Sequence, residues 1–216
     1  MPTASMTKTD KTPRLNDAYA LQTPADNQRL YADWADSYDT SFAAEMDYLL
    51  PAHVAQAYVA LGGAGPVLDI GAGTGLAGQA LAALGTGPID ATDLSAEMLT
   101  VAMRKGVYRA SLTADLLQGL PCADASYQGA ISSGTFTHGH VGPDALDELL
   151  RVTAPGGLIV ISVNAQHWQA QGFEAKFAAL AGAITPPDLP RHAIYGPANT
   201  SDHRHDQAII ASFRKL

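Results

Sequence analysis

Residues Pro66 to Gly85, PVLDIGAGTGLAGQALAALG, leave this chain the fewest folds to choose from. Val67-Leu68-Asp69-Ile70 is a short apolar run holding one carboxylate, the pattern of a strand buried in a parallel sheet. Gly71, Gly73 and Gly75 follow at alternate positions, so the backbone can turn sharply and let a ligand approach closely. Leu76, Ala80 and Leu84 then recur at helical spacing, and Gly85 sits where a helix would stop. Strand, glycine turn and helix together predict a nucleotide-type site, with helix amides facing the bound anion.

The glycines alone do not choose the nucleotide, because Gly73, Gly75 and Gly78 also satisfy the G-x-G-x-x-G dinucleotide pattern. Asp69, just before the turn, is the discriminating residue. A carboxylate beside a pyrophosphate brings like charges together, whereas an ammonium or sulfonium group is attracted to it. S-adenosylmethionine carries both cations and a carboxylate for the helix end. The stretch resembles the first motif of the class I S-adenosylmethionine-dependent methyltransferases, acidic and then glycine-rich, and the resemblance extends roughly from Tyr31 to the C-terminus. By this resemblance Gly71, Ala72, Gly73 and Gly75 form the turn that holds the cofactor.

Further motifs follow in order. Ile89 to Thr92 reads as a second strand with Asp93 at its end, close to the distance at which an acid meets ribose hydroxyls in such folds. A carboxylate accepting two hydroxyl hydrogen bonds suits a ribose diol. Ser95 caps the next helix. The DLSxxML run is similar to the family's second motif, which puts Leu94 and Met98 beside the adenine ring, or in the core. Val107 to Ala114 reads as a third strand; Asp115 and Leu116 after it are adenine-edge candidates by the resemblance, with a plain loop acid as the alternative. Gln128 to Ser132 reads as a fourth strand entering SSGTFTHGH. There the resemblance implies that Ser133, Gly134 and Thr135 line the sulfonium side. His138 is the candidate general base for a hydroxyl or amine acceptor, ahead of His140, since histidine takes a proton near neutral pH. The bland account is that both histidines satisfy loop carbonyls. Asp144 to Val152 reads as an amphipathic helix with Leu146, Leu149 and Leu150 inward. RVTAPGGLIV strongly resembles the family's R-x-L-x-P-G-G-x-L motif, a helix stop, turn and fifth strand.

Before the glycine turn, Leu30, Trp34 and Tyr38 lie one helical turn apart in a segment reading YADWADSYDTSF. It resembles the Y-D-x-W-A-x-x-Y-D signature of a subgroup that includes the Williams–Beuren syndrome region methyltransferase-like proteins, with Ala32 in place of the first Asp. That likeness puts Tyr31 and Tyr38 near the methionine end of the cofactor; simple packing on the core is the other reading. Leu49 to Leu61 reads as a further helix ended by Gly62-Gly63. Toward the C-terminus, His167 to Ala183 reads as one helix, with Trp168, Phe173, Phe177 and Leu180 as core or substrate wall. The proline-rich Thr185–Thr200 reads as a loop or lid, and Gln207 to Arg214 as an antiparallel edge strand that ends the sheet. His203 and His205, flanked by Asp202 and Asp206, would share one strand face; with His192 they raise a metal hypothesis, but two nitrogens are an incomplete site and no metal is assigned.

The expected architecture is therefore α/β: a Rossmann-like, mostly parallel seven-stranded sheet with helices on both faces, an antiparallel last strand and a helical N-terminal cap. Residues 1–16 read as a polar disordered tail, 17–63 as the cap and 64–216 as the methyltransferase domain. With 216 residues and 47% hydrophobic content the chain can core one such domain. A formal net charge of −8 with 13 Lys plus Arg argues against a nucleic-acid footprint and for a small-molecule methyl acceptor. Protein or RNA methylation, and cofactor binding without transfer, are the alternatives. The single cysteine, Cys122, allows no internal disulfide. The N-terminal residues lack an apolar signal core and no apolar run reaches spanning length, which reads as cytoplasmic with no membrane partner. Nothing in the sequence speaks to an oligomeric state.

Overall fold

The computed structural model describes residues 30, 32, 34–137 and 141–216. Tyr31, His138, His140 and the 1–16 tail fall outside the described residues. The chain forms a seven-stranded sheet in the order β3-β2-β1-β4-β5-β7-β6. The strands are β1 Val67–Ile70, β2 Ile89–Asp93, β3 Tyr108–Thr113, β4 Tyr127–Phe136, β5 Thr153–Asn164, β6 Arg191–Ala193 and β7 Gln207–Arg214. β1 pairs in parallel with β2 on one side and β4 on the other, so all four of its residues are buried. Alternation does the rest. Val67 joins the core on one face with Val54, Tyr58 and Leu81, while Leu68 and Ile70 join Leu149, Ile159 and Phe213 on the other.

The helices are α1 Leu50–Ala60, α2 Leu76–Ala83, α3 Ala96–Arg104, α4 Ala145–Val152, α5 Ala165–Gln171 and α6 Phe173–Ala179. In α4 the inward residues include Leu146, Leu149 and Leu150, as the spacing predicts. In α2 the buried face is Ala77, Gly78 and Leu81, whereas Leu84 is exposed. Ser95 caps α3 by accepting from the Met98 amide at 3.2 Å.

Three expectations need correcting. Gln207–Arg214 does run antiparallel to β5, but it is not the sheet edge: β6 pairs outside it. The proline-rich segment expected to be a loop or lid supplies that strand, and a bridge from Asp188 to Ser212 of β7 pins it further. A three-residue strand between prolines is too short to show alternation, which is why it was illegible. Second, the helix expected over His167–Ala183 is two helices broken at Gly172, whose φ of +76° ends the first. Trp168, Phe173 and Phe177 are core, not substrate wall, with Trp168 stacked on both phenylalanines. Third, the helical spacing of Trp34 and Tyr38 does not continue as an α-helix. Tyr38–Ala43 is a π-helical turn in which the Ala44 amide donates to the Asp39 carbonyl. The wider turn keeps Trp34 against Tyr38 and Phe42, at ring separations of 5.1 and 5.3 Å.

Candidate functional site

The strand order reverses between β1 and β4, so their chain continuations part and leave a crevice at the carboxyl ends of the strands. A cavity of about 190 Å³ occupies that position. Among the described residues expected to hold the cofactor, Tyr38, Asp69, Gly71, Ala72, Gly73, Asp93, Leu94, Met98, Asp115, Leu116, Ser133 and Gly134 all line it. Gly75 does not; it lies behind the turn as the left-handed residue before α2.

Each acid is held by backbone donors. Asp93 accepts from the Gly73 amide at 2.8 Å and the Ser95 amide at 2.9 Å, so it fixes the glycine turn from the end of β2. Burial raises its carboxyl above the ordinary range against those bonds. Asp115 caps the short 3-10 turn Leu116–Gln118 through the Leu117 amide at 2.9 Å. Asp69 is fully buried, and its Oδ2 accepts from the Tyr108 hydroxyl at 2.6 Å and the Gly78 amide at 3.0 Å. Its Oδ1 has no hydrogen bond. Burial pushes this carboxyl up to about 7, against the two donors, with Asp93 adding to the rise.

That shift gives a stability test. The folded Asp69 holds its proton more tightly than an unfolded aspartate near 3.8, so its contribution is fully present below that value and is lost as pH rises through about 7. Asp69→Asn keeps an oxygen for Tyr108 and Gly78 and removes the titration. Melting temperatures from pH 5.5 to 8 should therefore show wild type losing ground to the variant as pH rises; a constant difference would mean that Asp69 does not titrate there.

β4 supplies the opposite wall. Ser132 pairs with Ile161 and Phe136 with Val163, so Ser133, Gly134 and Thr135 bulge out opposite the single residue Ser162. The bulge extends the strand beyond Ser132, where the apolar pattern stops. It turns these residues into the crevice and satisfies the Gly134 amide on Ser162 Oγ at 2.9 Å.

The N-terminal segment is fastened across the glycine turn by Asp39. The Thr74 hydroxyl donates to Asp39 Oδ1 at 2.5 Å, and Lys105 Nζ stands 2.7 Å from Oδ2. Sequence reasoning missed Thr74, Tyr48, Pro51 and Val141 as lining residues, and Tyr108 as the partner of Asp69. Only Thr74 carried a clue, lying inside the glycine turn. The described lining residues include three carboxylates and no Lys, Arg or His.

The histidines elsewhere do not assemble as the metal hypothesis needs. His203 and His205 stand on a turn before β7, not on one strand face; His203 Nδ1 is 3.0 Å from Asp206 Oδ2. His192, on β6, has its ring 4.8 Å from that of His53 instead. Among the described residues no group of three or more His, Cys, Asp or Glu side chains is placed to hold a metal, and no helix is long and apolar enough to cross a membrane.

Comparison with known proteins gives consistent results. A methyltransferase domain model matches residues 67–157. Human methyltransferase-like protein 27 is 30% identical over 176 residues, covering 77% of this chain and 69% of that protein. An uncharacterised Mycobacterium tuberculosis protein is 34% identical over 149 residues, 64% of this chain, which spans only 52% of that relative's length. Among solved structures, the 1,6-didemethyltoxoflavin N1-methyltransferase of Burkholderia thailandensis, bound to 1,6-didemethyltoxoflavin and S-adenosylhomocysteine, superposes with a TM-score of 0.58 at 21% identity. The match covers 91% of this chain and 92% of that one.

Proposed function

The chain belongs to the class I S-adenosylmethionine-dependent methyltransferase family, and we propose that it transfers the methyl group to a small-molecule acceptor. The observation that carries the cofactor reading is the charge of the crevice. Its glycine turn is flanked by carboxylates, and one buried Asp69 oxygen lacks a hydrogen bond. A pyrophosphate would meet repulsion there, whereas a cationic methionine end relieves it. An added Cβ at Gly73 would meet nothing within 4 Å, so the turn leaves open space for a ligand.

When bound, S-adenosylmethionine supplies an electrophilic methyl carbon: the acceptor lone pair bonds to it, and the carbon–sulfur pair leaves with sulfur as a neutral thioether. The chain's residues hold and align. In this reading Asp93 takes the ribose hydroxyls, Leu94 and Met98 flank the adenine, and Asp115 and Leu116 meet its edge. Gly71, Ala72, Gly73 and Gly75 form the turn, with Asp69 toward the cationic end. Tyr31 and Tyr38 cap the methionine end, while Ser133 and Gly134 face the sulfonium. Residues 17–63 act as the cap and 64–216 as the catalytic domain; the likeness of 31–39 to the Williams–Beuren region subgroup is part of the same reading. His138 takes the acceptor's proton where the acceptor is not already a free nucleophile. A small-molecule acceptor is supported by the crevice's size, by the chain's acidity and by the 1,6-didemethyltoxoflavin bound in the Burkholderia enzyme.

Calorimetric titration tests the reading. S-adenosylmethionine and S-adenosylhomocysteine should bind and NAD should not; NAD binding alone would overturn it. Once an acceptor is in hand, His138→Gln should lower turnover with little change in cofactor affinity. Unchanged turnover would remove His138 from its role.

A further inference from the structure

The crevice has a second half that the cofactor assignments leave largely unused. Its lining also includes Tyr48, Pro51 and Val141, which no cofactor role takes, with Tyr38 and Ser133 shared between the halves. Tyr48 follows the π-helical turn and is fixed there: its amide donates to the Ala43 carbonyl at 3.0 Å, and its backbone bridges to Tyr195. Its ring packs 5.5 Å from Phe42 and 6.0 Å from Tyr195, so the phenol cannot swing away without breaking the aromatic cluster. The hydroxyl reaches over the β4 bulge, where a Cβ on Gly134 would lie only 2.5 Å from it. Ser133 Oγ, on the same bulge, is buried and makes no hydrogen bond. Burial pushes the Tyr48 phenol up to about 12, with the Ser133 side chain offsetting part of the rise. The phenol is therefore neutral at physiological pH. A neutral phenol carries a proton that it can donate to a ligand.

One rigid hydroxyl donor in an aromatic and aliphatic wall selects a particular chemistry. The complement of the donor is a lone pair on nitrogen or oxygen, and the complement of the wall is a flat apolar body. Asp69, Asp93 and Asp115 line the same crevice, and no described lining residue is cationic, so a carboxylate or phosphate on the ligand would be repelled. We propose that Tyr48, held by Phe42 and Tyr195, is a specificity-determining residue of the acceptor half, and that the acceptor is an uncharged planar ring bearing a nitrogen or oxygen lone pair beside the methylated atom. This rests on the methyltransferase reading above.

The experiment is calorimetric titration of the full chain saturated with S-adenosylhomocysteine. The probes are 8-hydroxyquinoline, catechol and 2-hydroxypyridine, each paired with a ring-carboxylated counterpart. The uncharged rings should bind, and their carboxylated partners at least about tenfold more weakly. Tyr48→Phe removes only the hydroxyl and should weaken ring binding roughly tenfold, the worth of one hydrogen bond, while S-adenosylhomocysteine affinity stays within about twofold. Preference for the carboxylated probes, an unchanged ring affinity in Tyr48→Phe, or no binding of any uncharged ring to protein that holds S-adenosylhomocysteine would each overturn the proposal. Failure of wild type to bind S-adenosylhomocysteine would instead strike the underlying methyltransferase reading.

Discussion

Replacing Asp93 with alanine is expected to weaken S-adenosylhomocysteine binding on the order of 100-fold, about 2.7 kcal/mol, measured by calorimetry. Two losses add. Asp93 holds the glycine turn through the Gly73 amide while its second oxygen takes the Ser95 amide, so the side chain braces two pieces of the crevice. In the proposed complex it also accepts the ribose hydroxyls, and charge-assisted bonds of that kind are each worth roughly 1.5–3 kcal/mol. Asparagine should recover only part of the affinity, because its NH2 group opposes one of the two amide donors. A variant that folds and binds within about threefold of wild type would take Asp93 out of the ribose site.

Gly78→Ala should cost about 2 kcal/mol of stability and lower the melting temperature by roughly 4–8 °C. Helix propensity alone predicts the reverse, since alanine is favoured over glycine in a helix by about 1 kcal/mol. The steric term wins. A Cβ at Gly78 would stand 2.2 Å from the Tyr108 hydroxyl oxygen and 2.3 Å from the ring carbon that carries it. Tyr108 is 7% exposed and donates to Asp69, so it can yield only by stripping a hydrogen bond from a buried carboxyl. In a Tyr108→Ala background the same change should cost less than about 1 kcal/mol, because the obstacle is gone. An unchanged or raised melting temperature for the single variant would show that the ring has room.

That pair shows what the sequence made legible and what it hid. Gly73, Gly75 and Gly78 match a dinucleotide pattern, yet Gly75 and Gly78 are small because the Tyr108 ring lies against both, while only Gly73 opens on the crevice. The strand–turn–helix unit, Asp93 and the Pro-Gly-Gly strand were readable because their logic is local and repeats at fixed spacing. Tyr48, Tyr108 and the Asp39–Thr74 contact were not, since each depends on a partner distant in the chain and carries no periodicity of its own. The π-helical turn defeated pattern reading for a related reason. Leu30, Trp34 and Tyr38 lead into it at helix-like spacing, and inside it Tyr38 and Phe42 both pack on the Trp34 ring, a set of contacts no spacing rule reads. β6 was invisible because three residues between prolines cannot display an alternation.

The fastening of the N-terminal segment also has a consequence for biosynthesis. The Asp47 carbonyl accepts from the Gly196 amide at 2.8 Å, Leu49 donates to the Ile194 carbonyl at 2.9 Å, and Asp47 Oδ2 meets the Ala198 amide across 151 residues. Of these partners, residues 34–49 leave the ribosome first and 194–198 last. Phe42 and Tyr48 therefore wait through most of translation without the Tyr195 ring they finally pack against, and the acceptor half of the crevice takes shape only when nearly the whole sheet has been made. A nascent chain stalled before Ile194 would carry the glycine turn and Asp93 but lack that support for Tyr48, so the two halves of the crevice are completed at different moments in the protein's birth.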